Sequence, residues 1–135
     1  MSRSQIMQDI IDTAENDYYT LSEEERTAYC LKSIYDAVSA PGLKSYYERF
    51  CGAYAAEAPD LLYSIGLDDV AAILESANAI FPDCIPPEDF DERNDIIFDW
   101  DDEYDALFEE WTNEILEGLF QISGELERIL DELDE

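Results

Sequence analysis

Apolar side chains recur every three or four residues along nearly the whole chain, and no stretch alternates apolar and polar residues as a strand does. This pattern predicts an all-α fold of about six or seven helices. Residues 1–135 are expected to form a single domain, because a chain of this length has the usual size of one domain.

Capping and breaking residues predict the helix boundaries in the first third of the chain. Ser4 is expected to cap a first helix, and Ser22 with Glu25 forms a capping box for a second. The Ala-Pro-Gly run at 40–42 then ends the second helix and begins a third. That third helix is predicted to carry an aromatic face made of Leu43, Tyr46, Tyr47, Phe50 and Tyr54.

The middle of the chain contains two further predicted helices and a loop. Pro59 suits the first turn of a short helix, and Gly66 suits the left-handed position that ends it. Acidic residues favour a helix start at residue 68, so a helix is expected over 68–80. The proline-rich segment 82–99 is the longest expected loop, with room for one turn around 89–94.

A long amphipathic helix is predicted over 102–119. At 100° per residue, one stripe about 120° wide collects its apolar side chains, which is the width of a face that packs on a core. These side chains are Tyr104, Leu107, Phe108, Trp111, Ile115 and Leu119. With Trp100 and Phe120 nearby, this part of the chain is expected to be a packed helix and not a disordered acidic tail.

Charge is the unusual property of this chain. There are 35 acidic residues against 7 basic ones, for a formal net charge of -28. Residues 83–135 are the most acidic region, with 21 acids and 2 bases. Self-repulsion of this size opposes folding, so the charge is expected to have a use. Such a surface repels nucleic acid and anionic membranes and attracts basic proteins.

The acids of the predicted helix fall in two columns opposite its apolar stripe. Asp102, Asp105 and Glu109 form one column, and Glu103, Glu110, Glu114 and Glu117 form the other. With Asp99 and Asp101, these nine residues are the predicted partner-binding site. They follow one another about every 3 Å of helix, close to the 3.4 Å axial spacing of phosphates in a DNA strand. The simpler alternative is a solvated helix face whose acidity serves solubility.

Catalysis and metal binding are not expected. Histidine is absent, which removes the usual proton shuttle and the commonest metal ligand. Cys51 lies beside Arg49 but has no general base, so a buried, unreactive thiol is expected. The acids from Asp99 to Glu110 match some positions of an EF-hand, but Tyr104 occupies the glycine position of the loop. No cofactor, metal or catalytic residue is therefore predicted.

Cysteine usage and the start of the chain predict the compartment. Cys30, Cys51 and Cys84 are odd in number and contain no Cys-x-x-Cys pair, which argues against a disulfide framework or a zinc site. The first residues lack an apolar signal-peptide core, and no apolar stretch is long enough to span a bilayer. A cytoplasmic protein without membrane contact is expected.

Three short stretches of the chain carry a family resemblance. They are Gly-Leu-Lys-Ser-Tyr-Tyr at 42–47, Tyr-Ser-Ile-Gly-Leu at 63–67, and 74–82, which ends Ala-Ile-Phe-Pro. Together they resemble a bacterial family of small acidic helical domains whose best-known member is a DNA mimic. The resemblance covers about 22–82, with weaker agreement around Tyr104, and departs from the family pattern at Ala-Pro in 40–41. It implies a helical fold with an acidic face that occupies the DNA-binding surface of a transcriptional regulator.

The leading functional hypothesis is therefore a DNA-mimic-like binding protein and not an enzyme. Its partner would be a basic DNA-binding protein, with no direct contact to nucleic acid, and the chain itself would be a monomer or a dimer. The alternative hypothesis is an interaction or immunity-type module that binds a basic protein unrelated to DNA binding.

Overall fold

The helices follow one another with short connections along the chain. The computed structural model describes residues 2–134, and within that part all regular secondary structure is helical. The all-α prediction is confirmed. In chain order the helices are α1 (Arg3–Asp17), α2 (Glu23–Ser39), α3 (Lys44–Glu48), α4 (Ala58–Ser64), α5 (Asp68–Asn78), α6 (Phe90–Phe98), α7 (Asp102–Glu117) and α8 (Leu119–Leu133). Short 3₁₀ segments lie at Tyr18–Thr20, Phe50–Tyr54 and Pro82–Cys84.

Side-chain caps fix where α1 and α2 begin. The predicted capping box is confirmed, because the Ser22 hydroxyl accepts from the Glu25 amide at 3.2 Å while the Glu25 carboxylate accepts from the Ser22 amide at 3.0 Å. The prediction that Ser4 caps α1 is wrong. Ser2 has the extended backbone that a cap requires, and its hydroxyl accepts from the Gln5 amide at 3.1 Å.

Replacing Ser22 with alanine is expected to lower the free energy of unfolding by about 1 kcal/mol, because the Glu25 amide at the start of α2 loses the hydroxyl that accepts its hydrogen bond. Ser4→Ala is the matched control, since Ser4 lies exposed inside α1 and caps nothing. Urea unfolding followed by circular dichroism measures both changes. Equal effects of the two substitutions would contradict the capping role.

The predicted third helix is in fact two separate segments. α3 ends at Glu48, Arg49 is extended, and a 3₁₀ segment follows from Phe50. Gly52 explains the break, because a Cβ there would lie 2.6 Å from the Tyr47 carbonyl oxygen, so the chain folds back on itself too closely for a side chain. The predicted aromatic face is accordingly incomplete, since Phe50 is half-exposed.

The prediction of a loop over 82–99 is wrong for its second half, which forms α6. Asp89 caps this helix by accepting from the Glu92 amide at 2.8 Å. Its inner face buries Arg93 and Ile97. The charged Arg93 at a core-facing position interrupts the apolar repeat, and so the helix was not evident from the sequence pattern.

The predicted helix over 102–119 ends at Glu117, and Gly118 separates it from α8. Leu119 therefore belongs to α8. Phe120 was expected to pack with the other aromatic residues, but 88% of it is exposed. On α8 it lies nearly opposite the buried Ile122 and Ile129, so the rotation of this helix directs it to solvent.

α2 lies at the centre of the fold and contacts α1, α3, α4, α7 and α8. Ala28, Leu31, Ile34 and Ala37 of α2 are completely buried at these contacts. In the part of the chain that the structure describes, no helix combines the length and the apolar character needed to cross a bilayer.

Candidate acidic interaction surface

α7 is fixed to the body of the protein by its inner face. Phe108 and Ile115 are buried on that face. Between them, the Thr112 hydroxyl accepts from the Leu43 amide at 2.8 Å and donates to the Phe108 carbonyl at 2.7 Å. Gly42 has a φ of 146° and packs closely on the same threonine. These contacts hold α7 in one position against the start of α3.

An aromatic layer supports the first half of α7. The Phe108 ring stacks on Trp100 with centroids 5.4 Å apart and meets Trp111 edge-on at 5.1 Å. Tyr47 from α3 contacts the same ring at 5.8 Å. The predicted inward direction of the α7 rings is therefore confirmed for Phe108. Tyr104 and Trp111 are partly buried at the margin of the aromatic layer.

The outer face of α7 presents the predicted carboxylates to solvent. All nine predicted site residues are exposed: Asp99, Asp101, Asp102, Glu103, Asp105, Glu109, Glu110, Glu114 and Glu117. Asp101 caps the helix by accepting from the Glu103 amide at 3.1 Å. Asp105 forms an ion pair with Lys44 at 2.8 Å, and within residues 2–134 it is the only one of the nine in a salt bridge.

The acids of α8 differ in this respect from those of α7. Arg3 pairs with Asp131 at 2.8 Å and with Glu127 at 3.7 Å, joining α1 to α8. The hydrogen bond and the charge of Arg3 lower the pKa of the Asp131 carboxyl. Arg128 pairs with Glu125 and Glu132 within α8. Basic residues therefore neutralise much of α8 but leave α7 almost uncompensated.

The carboxylates of α7 have the linear density of a nucleic-acid strand. Seven acids lie on a helix of 16 residues, about 24 Å long, which gives one charge per about 3.4 Å. One DNA strand carries a phosphate about every 3.4 Å of axis, and a duplex carries one about every 1.7 Å. α7 thus supplies the axial charge density of one strand and half that of a duplex.

α6 contributes acids that the sequence analysis did not place in the site. Asp91 and Asp95 share the outward face of α6, opposite the buried Arg93 and Ile97, and lie in line with Asp99 of the predicted site, which caps the end of this helix. This part of the chain was predicted as a loop, for which no common face could be derived. The cap signal of Asp89 followed by Glu92 would have indicated the helix.

The described carboxylates are not arranged to hold a metal ion. Within residues 2–134, no group of three or more His, Cys, Asp or Glu side chains converges as metal ligands would. The acids from 102 onward that matched EF-hand positions lie on the continuous helix α7. Their side chains point in different directions around the helix axis and do not converge on one point. The arrangement suits contact with an extended cationic surface.

The cysteines separate into two buried thiols and one exposed thiol. All three are free, with Cys30 and Cys51 buried and Cys84 exposed. Burial raises the pKa of both buried thiols, which keeps them protonated and poor nucleophiles. The proximity of Arg49 to Cys51 lowers its pKa by less than burial raises it.

Native protein is expected to react with one equivalent of iodoacetamide per chain, at Cys84. Cys30 and Cys51 should react only after unfolding, because their thiols are both inaccessible and protonated. Iodoacetamide is uncharged, so the acidic surface does not repel it. Intact-mass spectrometry counts the adducts, and Cys84→Ser should abolish them. Fast modification of Cys51 in native protein would contradict this assignment.

Comparison with known proteins gives one family match. A protein-family model described as DMP19-like protein, which represents a DNA-mimic family, matches residues 19–134. No curated protein and no solved structure matches the chain. The matched range includes all of α2 to α8, and therefore α7 and the residues that pack against it.

Proposed function

The chain belongs to the DMP19-like protein family, and on that premise we propose that it acts as a DNA mimic. In this proposal its acidic surface occupies the basic DNA-binding surface of a partner protein, such as a transcriptional regulator. The partner then loses access to DNA while the mimic is bound. The proposed role is binding and not catalysis.

One observation carries the proposal beyond family membership. α7 is held rigidly by buried Phe108 and Ile115. Its opposite face presents carboxylates of which, within residues 2–134, only Asp105 forms a salt bridge. A disordered acidic tail would attract the same partners but would lose conformational entropy on binding. A helix already fixed in the fold avoids this cost and presents its charges in a constant arrangement.

Recognition would be electrostatic and therefore sensitive to salt. A basic DNA-binding surface consists mainly of lysine and arginine side chains that contact phosphates. Exposed carboxylates at a similar spacing can engage the same side chains, and salt within a Debye length of about 8 Å screens this attraction at physiological ionic strength. Charge complementarity of this kind also accelerates association.

The decisive experiment is a competition in which duplex DNA and this protein compete for the captured partner. Immobilised protein is incubated with cell extract at low salt, bound proteins are identified by mass spectrometry, and the purified partner is then challenged with its own DNA site. We expect to capture a basic DNA-binding protein. Duplex DNA should release this partner from the immobilised chain, and more completely the more tightly the partner binds the DNA.

Two outcomes would overturn this function. Capture of a basic partner that excess duplex DNA fails to displace would favour the interaction-module alternative. Recovery of no basic protein at low salt would favour acidity that serves solubility alone. In both cases the fold would stand and the mimic role would be wrong.

A further inference from the structure

A cleft between α3 and α6 lies next to the acidic face of α7 but is formed by other residues. Its walls are Lys44 and Glu48 of α3, Asn94, Asp95 and Phe98 of α6, and Trp100 in the turn that leads to α7. Asn94 joins the two helices, because its side-chain amide donates to the Glu48 carbonyl at 3.1 Å and to the Phe90 carbonyl at 3.0 Å. The cleft is therefore a fixed feature of the helix pair.

Two carboxylates in this cleft lack a basic partner. Glu48 and Asp95 come from different helices, and neither takes part in a salt bridge within residues 2–134. Lys44 also lines the cleft, but its ammonium group is held by Asp105 at 2.8 Å on the α7 side. Among the described residues, these two carboxylates of the cleft therefore form no ion pair, while the charge of Lys44 is engaged by Asp105.

An exposed aromatic ring completes the cleft. Phe98 is 88% exposed, whereas the neighbouring Ile96 and Ile97 of the same helix pack against the core. Isolated apolar residues on a surface are common, but this ring lies beside carboxylates of two helices. An aromatic ring next to acidic groups attracts cations, since the ring face and the carboxylates favour positive charge together.

We propose that this cleft binds the guanidinium group of an arginine side chain. A planar guanidinium can stack on the Phe98 ring while its N–H groups donate to Glu48 and Asp95. The side-chain oxygen of Asn94 offers a further acceptor, because within residues 2–134 the hydrogen bonds of this side chain use its amide nitrogen. Lysine would pair with a carboxylate but lacks the flat surface for stacking.

The inference deepens the proposed function, because it names arginine as a side chain that the partner would insert beside α7. It depends on that function only for the source of the arginine. Binding of a free arginine derivative requires no partner, and so it can be tested separately.

The test uses ¹⁵N-labelled protein titrated with Nα-acetyl-arginine methylamide, followed by backbone amide shifts. The lysine analogue and the uncharged citrulline analogue serve as comparison probes. We expect saturable shifts for the arginine probe centred on 44–48 and 94–100, with affinity about threefold above that of the lysine probe. The citrulline probe should produce no saturable shift at these positions.

Two variants separate the ring from the carboxylates. Phe98→Ala leaves charge unchanged and removes an exposed ring, so it should fold normally, bind the arginine probe about threefold more weakly and lose the preference over lysine. The double variant Glu48→Gln/Asp95→Asn should weaken binding about fivefold. Glu15→Gln/Asp69→Asn removes two exposed charges elsewhere and is the matched control, expected to bind as the unaltered chain does.

The proposal is overturned if shifts spread evenly over all acidic helices, or if arginine and lysine probes bind alike. Unchanged binding by both cleft variants would overturn it as well. These results would leave the DNA-mimic proposal intact, since that proposal rests on competition with DNA. Conversely, a cleft that selects arginine could coexist with a partner that DNA fails to displace.

Discussion

Replacing Glu109, Glu110, Glu114 and Glu117 together with glutamine is expected to lower affinity for the basic partner by about 100-fold. All four are exposed on α7 and form no salt bridge within residues 2–134. Each exposed ion pair with a partner contributes up to about 1 kcal/mol. Four such losses of about 0.7 kcal/mol give two orders of magnitude, since 1.36 kcal/mol corresponds to tenfold.

The salt dependence of binding gives a second measurement on the same variant. Fewer paired charges should flatten the plot of log affinity against log salt concentration, because fewer counterions are displaced on binding. Glutamine preserves side-chain size and helix propensity, so circular dichroism should show unchanged helix content. Fluorescence anisotropy of labelled partner across a salt series gives both the affinity and the slope.

A control with the same net charge tests whether position on α7 matters. Glu15→Gln, Glu24→Gln, Asp60→Asn and Asp69→Asn also remove four exposed charges, but from α1, α2, α4 and α5. We expect this variant to retain affinity within about threefold, through the weakened overall field alone. If both variants lose affinity equally, the partner senses total charge, and the assignment of α7 as the contact surface is wrong.

Substituting Arg93 with methionine is expected to lower the free energy of unfolding by about 4 kcal/mol. The side chain is fully buried. Its guanidinium donates to the carbonyl of Tyr47 at 2.7 Å, of Pro87 at 2.8 Å, of Glu88 at 3.2 Å and of Arg49 at 2.8 Å. Methionine fills much of the space but leaves these acceptors without donors, and each such loss costs about 1 kcal/mol or more.

Arg49→Met is the matched control for Arg93→Met. Arg49 is exposed, and within the described part of the chain its guanidinium makes one hydrogen bond, to the Ala40 carbonyl at 3.1 Å. Its replacement should change the free energy of unfolding by less than about 1 kcal/mol. Urea titrations at one fixed salt concentration measure both variants. A small effect of Arg93→Met would show that water can replace the guanidinium at these carbonyls.

The elements predicted correctly are those in which local signals agree. α2 has both a capping box and a regular apolar face, and α5 begins at Asp68 as expected. On α7 the apolar stripe and the acidic columns lie on opposite sides, so the orientation of the predicted carboxylates followed from periodicity alone.

The errors occur where distant parts of the chain determine local structure. The break after α3 depends on Gly52, whose missing side chain leaves room for Tyr47 and for the Arg93 guanidinium. α6 was missed because Arg93 occupies a position on the inner face of the helix where an apolar residue is expected. The hydrogen-bond partners of Arg93 lie nearby, at Pro87, and more than 40 positions earlier, at Tyr47 and Arg49. No periodic pattern within one segment contains this information.

The cleft beside Phe98 was not predictable for the same reason. It requires α3 and α6 to lie side by side, and Glu48 and Asp95 are far apart in sequence. The exposure of Phe98 and Phe120 likewise depends on how α6 and α8 are rotated against the core. From sequence, an aromatic residue in an acidic helical region is more simply interpreted as part of the core.

The uncompensated carboxylates of α7 have opposite consequences for the protein alone and for its complex. In the free chain they repel one another, so dissolved ions that screen them favour the folded form. In the complex the same ions compete with the partner and favour release. A bound cationic surface takes over the screening role, and the partner therefore stabilises the very helix that recognises it.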